Sequence, residues 1–152
     1  MKRYVAVCGA GDPAADTDAL AYEVGRLLAE AGAIVVCGGL GGVMEAACRG
    51  AKQAGGTTVG LLPGQDRSHA NPYVDVAIPT GMGEMRNALI VRSADAVIAI
   101  GGGWGTLSEV ALAMKTGTTV VTLGSWDLPE AGGHSPQPAA SPDEAVNLAL
   151  DR

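Results

Sequence analysis

The sequence predicts an α/β domain built on one doubly wound parallel sheet with helices on both faces. Short β-branched runs alternate with amphipathic helical patterns along the whole chain. Three of the strand ends carry glycine-rich turns that open onto a helix: Gly9 to Gly11, Gly38 to Gly42 and Gly101 to Gly105. No repeat or boundary interrupts the pattern, and 152 residues suit one domain, 1–152, with a sizeable core.

The elements follow in order. Tyr4 to Cys8 is a strand, and Gly9 to Pro13 a turn. Leu20, Val24, Leu27, Leu28 and Ala31 mark a helix that Gly32 ends. Ile34 to Cys37 is the second strand. Val43, Ala46, Ala47, Gly50, Ala51 and Ala54 give a helix closed by Gly55 and Gly56. Thr57 to Leu62 is a third strand, stopped by Pro63 and Gly64. A polar loop from Gln65 to Tyr73 leads to a short strand, Val74 to Ile78. Gly83 to Ser93 is helical, with Met85 and Leu89 facing inward and Met82 a candidate to join them. Ala96 to Ile100 reads as a buried strand. After its glycine turn, Leu107, Val110, Ala111 and Met114 set one buried helix face, ended by Gly117. Thr118 to Leu123 is the last strand. Gly124 to Ala140 is rich in Pro and Gly and reads as a long, mobile surface loop. Ser141, Pro142 and Glu144 open a terminal helix with a cap, a Pro at its first position and a capping-box Glu.

The chain is centred on the stretch from Gly101 to Glu109. Glycines there let the backbone turn sharply and admit a ligand close to the main chain. The free N–H groups and positive dipole end of the following helix then suit a phosphate. The stretch is neither a dinucleotide fingerprint nor a P-loop, because no Gly-Lys-Ser/Thr follows. A turn of this kind also serves packing alone. Thr106 and Glu109 equally fit a capping box, which gives Glu109 a structural role. In a doubly wound sheet, ligands bind beyond the carboxyl ends of the strands near the switch point. Meeting there, the three turns form one glycine-lined cleft for a small phosphorylated ligand. Its candidate contacts are Gly9, Gly38, Gly39, Gly41, Gly102, Gly103, Gly105 and Thr106.

Composition narrows the class. The chain is 47% hydrophobic yet has no Phe, so its core is built from Val, Ile, Leu and Ala. No apolar run approaches the ~20 residues of a membrane span, and the chain begins directly on a strand, which predicts no signal peptide. A formal charge of −6 argues against a nucleic-acid surface. Cys8, Cys37 and Cys48 lack zinc spacing, and their odd number fits reduced thiols in the cytoplasm. Cys8 and Cys37 end strand-like runs, and if those strands are neighbours their thiols approach each other; small buried residues are the plainer reading. His69 and His134 fall in Pro/Gly-rich stretches, so no metal site is expected.

The residues Val7-Cys8-Gly9, Cys37 to Met44, Arg86 on its helix, and Gly102-Gly103-x-Gly105-Thr106-x-x-Glu109 resemble the Lonely Guy (LOG) superfamily, whose members were long labelled lysine decarboxylases. The resemblance covers nearly all of the chain to Gly124. Gly55 to Gly64 and Glu109 to Lys115 are most similar to its molybdenum cofactor carrier branch, which binds a phosphorylated pterin. The resemblance implies a Rossmann-like fold and a homo-oligomer, dimer or tetramer. It implies a binding or carrier protein for a phosphorylated nucleotide-like ligand, with the molybdenum cofactor or an AMP-like nucleotide as candidates and no cofactor required. The alternative is the enzyme branch, a phosphoribohydrolase cleaving the N-glycosidic bond of cytokinin nucleoside 5′-monophosphates. By that likeness Arg86 and Glu109 are catalytic: Arg86 holds or protonates the leaving base, and Glu109 holds the ribose and stabilises an oxocarbenium-like transition state. Gly102 to Thr106 hold the 5′-phosphate. The sequence departs from the enzyme motif at Gly101 for Pro, Asn87 for Lys, and Ser108 for the first of two glutamates. Pyridoxal decarboxylation needs a Schiff-base lysine. Lys2, Lys52 and Lys115 are the only lysines and none lies in a glycine turn, so that activity is not expected.

Overall fold

The computed structural model describes all residues from Met1 to Arg152. Seven strands form one sheet in the order β4-β3-β2-β1-β5-β6-β7, and every neighbouring pair is parallel. The strands are β1 (Tyr4–Gly9), β2 (Ile34–Cys37), β3 (Thr58–Leu62), β4 (Val76–Pro79), β5 (Ala96–Ile100), β6 (Thr119–Leu123) and β7 (Gln137–Pro138). The helices are α1 (Ala15–Glu30), α2 (Val43–Gln53), α3 (Arg86–Ser93), α4 (Trp104–Thr116) and α5 (Pro142–Leu150). This is the predicted doubly wound α/β fold. The order reverses between β1 and β5, which places the switch point there.

Alternation along the strands builds two cores, one on each face of the sheet. Val5 and Val7 of β1 point to one side with Ile98 and Ile100, and are covered by α1, α2 and α5. Ala6 and Cys8 point to the other with Val97 and Ala99, and are covered by α3 and α4. The first layer depends on two small residues. A Cβ on Gly25 of α1 would collide with the Ala47 carbonyl of α2, and one on Gly50 of α2 with the Tyr22 carbonyl of α1. The two helices therefore touch backbone to backbone.

Three local readings change. The inward face of α4 is Thr106, Glu109, Val110 and Ala113, while Ala111 is exposed and Leu107 and Met114 are half-buried, because the helix is turned to bring Thr106 and Glu109 onto the sheet. Leading into α3 and on it, the apolar residues Met82, Met85 and Leu89 face solvent, and Met85 is 72% exposed. The inward face is Arg86, Asn87, Ile90 and Val91. A 3₁₀ turn at Gly83–Met85 delays the helix, and i,i+4 spacing then carries Arg86 with Ile90 and Asn87 with Val91 toward the sheet. The segment 124–140 is not without regular structure: β7 pairs with β6 through Val121–Gln137 and Thr122–Pro138. The strands that end in Cys8 and Cys37 are neighbours, and the contact the topology adds is between Cys37 and Cys48, whose sulfurs lie 3.5 Å apart. The terminal helix starts as predicted, with Ser141 Oγ accepting from the Glu144 amide; the Glu144 carboxylate reaches one residue further back, to the Ala140 amide. No helix is long and apolar enough to cross a membrane.

Candidate functional site

The glycine turn after β5 does what its sequence predicts for the backbone. Gly102 has φ +105°, and a Cβ there would collide with the Thr106 side chain. Gly103 is the N-cap of α4 and makes no side-chain cap. None of the amide N–H groups from Gly102 to Thr106 has a partner within the chain. They form a cradle at the positive end of a thirteen-residue helix. Thr106 and Glu109 are not a capping box: helix α4 already begins at Trp104, so Thr106 lies within the first turn and is itself buried. Glu109 is thereby released from the structural role the motif allowed it.

The segment following β6 braces the cradle from outside. Ser125 Oγ donates to the Gly101 carbonyl at 2.6 Å, and Trp126 Nε1 donates to the Gly103 carbonyl at 3.2 Å. Trp126 also packs on Trp104, with ring centroids 5.3 Å apart. Both tryptophans of the chain thus stand at the mouth of the turn, a meeting that nothing in their sequence separation announces.

Beside the cradle lies a cavity of about 210 Å³, lined by Cys8, Gly9, Gly38, Met44, Glu84, Arg86, Asn87, Ile90, Gly105, Thr106 and Glu109. It sits at the carboxyl ends of β1, β2 and β5, at the switch point. Of the predicted residues it unites Gly9, Gly38, Arg86, Gly105, Thr106 and Glu109. Gly39, Gly41, Gly102 and Gly103 lie outside its lining. The glycines differ in what surrounds them. A Cβ on Gly9 would strike the Ile100 carbonyl at 2.5 Å, so Gly9 serves close packing of β1. One on Gly38 would lie 2.5 Å from Arg86 Nη2, so Gly38 makes the seat for that guanidinium. One on Gly39 would meet Leu62 at 2.8 Å. Gly41, Gly103 and Gly105 face open space. None of the three lysines lines the cavity.

Arg86 is only 9% exposed and Glu109 only 8%. Arg86 donates from Nη1 to Asn87 Oδ1, while its buried Nε–H has no partner. Asn87 Nδ2 in turn donates to Ser108 Oγ at 3.2 Å, and Ser108 Oγ donates to the Gly105 carbonyl at 2.6 Å. Two of the three positions that depart from the enzyme motif therefore hydrogen-bond to each other, a neutral link between α3 and α4. Asn87, which the motif marks only as a departure, orients Arg86. Burial pushes the Glu109 carboxyl above its ordinary range, and the adjacent Cys8 thiol and the Arg86 charge pull it part of the way back. Burial, reinforced by Glu109, drives the Cys8 thiol well up, so Cys8 stays protonated and unreactive.

A doubly wound parallel sheet, with unpartnered amides and a buried Arg and Glu at its switch point, is the architecture of a ligand-binding α/β domain. The chain belongs to the SLOG cluster4 family, whose model matches residues 2–146. An uncharacterized protein of Archaeoglobus fulgidus is 43% identical over 146 residues, covering 96% of this chain and 93% of that one. The molybdenum cofactor binding protein of the phototrophic bacterium Rippkaea orientalis superposes with a TM-score of 0.93 at 40% identity, over 99% of this chain and 97% of that one. The molybdenum cofactor carrier protein of Chlamydomonas reinhardtii superposes with a TM-score of 0.86 at 35% identity, over 99% and 98%.

Proposed function

We propose that this protein binds and carries a small phosphorylated ligand, with the molybdenum cofactor as its cargo. The observation that carries the reading is the row of unpartnered amides from Gly102 to Thr106 opening beside a cavity that holds Arg86 and Glu109. Amides at a helix N-terminus suit a phosphate. The cavity, at about 210 Å³, takes one heterocyclic part of a ligand, and Gly41, Gly103 and Gly105 leave room for the remainder. The cofactor-binding relatives in Rippkaea and Chlamydomonas share the fold over almost their full lengths.

The test has two parts. Native mass spectrometry of the purified protein should show a retained phosphorylated ligand. Gly103→Val places a side chain into open space, so the variant should fold normally and block the cradle, weakening nucleotide binding by about tenfold or more. Unchanged affinity would remove the cradle from the account. The competing reading, hydrolysis of nucleoside 5′-monophosphates, predicts free base from AMP or a cytokinin monophosphate. The neutral Asn87–Ser108 link supports the carrier, for which no base should appear.

We further propose a homo-oligomer, a dimer or tetramer. Met82, Met85 and Leu89 leave an apolar strip exposed beside the site, the kind of patch that a second copy covers. Light scattering at micromolar concentration should give a multiple of 15.2 kDa; a monomer mass refutes it.

A further inference from the structure

Two opposite charges line the same small cavity without meeting. Arg86 and Glu109 are each about nine-tenths buried, yet they form no ion pair with each other. The Arg86 Nε–H has no acceptor. Beside Glu109 stands the Cys8 thiol, a weak donor that eases the carboxyl's charge only in part. A buried cation and anion held apart are expensive, and such unmet groups in a native fold mark a place that something else completes.

Whatever completes it must offer donors to the carboxylate and an acceptor to the guanidinium, along one rigid edge. A 2-amino-4-oxopyrimidine ring has that edge. Its exocyclic amine and N3–H are adjacent donors that match the two oxygens of a carboxylate, and its carbonyl accepts from an arginine. The walls suit a flat ring: Met44 and Ile90 are apolar, and Met adapts its shape to what it covers. Asn87 holds the guanidinium to one orientation through its Nη1 bond.

Resting on the carrier reading above, we infer that this cavity reads the 2-amino-4-oxopyrimidine edge of the ligand's heterocycle, with Glu109 accepting from the amine and N3–H and Arg86 donating to the carbonyl. Pterins and guanine share this edge. The role differs from contact with ribose hydroxyls, which leaves Glu109 blind to the base.

Titration calorimetry of the wild-type protein with GMP, IMP, AMP, ribose 5-phosphate and 6-hydroxymethylpterin phosphate tests the inference. IMP lacks only the amine; AMP lacks it too, and presents a ring acceptor in place of the N–H and an amine donor in place of the carbonyl. GMP should bind about tenfold or more tighter than either, because a site built to hydrogen-bond a group rejects the analogue without it. Either ranking of GMP against the pterin phosphate supports the shared edge and names its source. Glu109→Gln should erase the preference for GMP over IMP and keep ribose 5-phosphate binding. Equal affinities for GMP, IMP and AMP, or a preference for AMP, overturn the inference and leave the phosphate cradle standing. No binding by any probe, ribose 5-phosphate included, overturns the carrier reading with it.

Discussion

The Glu109→Gln variant will melt higher than the wild type at neutral pH and yet lose ligand selectivity. Burial raises the Glu109 carboxyl above its ordinary value, and the opposing pulls of Cys8 and Arg86 do not cancel it. The folded chain therefore holds this proton more tightly than the unfolded chain does. Between the ordinary pKa and the raised one, folding takes up a proton, so stability falls as pH rises through that window and stays lower above it. A neutral Gln of the same shape removes the cost of the buried charge. The gain in thermal midpoint should be present at about pH 7 and shrink toward about pH 4, where the wild-type carboxyl is protonated as well. Affinity moves the other way, with a loss of about tenfold or more for a ligand whose donors face the carboxylate. Calorimetric melting at both pH values, beside ligand titration, checks the pair. A lower midpoint at neutral pH would mean that attraction to Arg86 outweighs burial, and the account of Glu109 as a strained, functional charge would fail.

A large loss of stability is expected from a residue far from the cavity. Gly50→Ala places a methyl group where the Tyr22 carbonyl of α1 already stands. The obstacle is backbone within a helix, so no side-chain rotation relieves it, and α1 and α2 must separate. That movement opens the layer in which Val24 and Leu28 pack with Val43 and Ala47 against the sheet. Overpacking of this kind costs about 3 kcal/mol or more, a large share of the stability of an ordinary domain. The thermal midpoint should fall by about 10 °C. Gly41→Ala, at a position facing open space, is the matched control and should change it by less than about 2 °C. A Gly50→Ala midpoint as high as the control's would show that the two helices do not depend on backbone contact.

Much of this molecule is legible in one dimension because its signals are local. β-branched runs at Val5 to Val7, Ile34 to Val36 and Ala96 to Ile100 define strands, and glycine at Gly32 and Gly117 ends helices through left-handed backbone. Their alternation implies a parallel sheet, and a parallel sheet implies a cleft at the strand ends, so the position of the glycine turn from Gly101 to Gly105, at the carboxyl end of β5, follows from the sequence. Arg86, Thr106 and Glu109 were legible through resemblance of motif, and they do line one cavity. Helix α3 resisted the same reading. Apolar spacing assigns Met85 and Leu89 inward, but the buried face is held by Arg86 and Asn87, polar residues that are inside because the cavity is there. Periodicity has no means of anticipating a buried guanidinium.

The order and type of the elements, the position of the glycine cradle and the aliphatic character of the core were determined by the sequence alone, because each depends on residues within a few positions of one another. Tertiary structure decided the rest. It paired Cys37 with Cys48, stacked Trp104 on Trp126, added Gln137 and Pro138 to the sheet and gave Gly25 and Gly50 their packing role. It also kept Arg86 and Glu109 apart in one cavity. These are contacts between distant segments, set by how helices seat on a twisted sheet, and helical or strand periodicity carries no record of them.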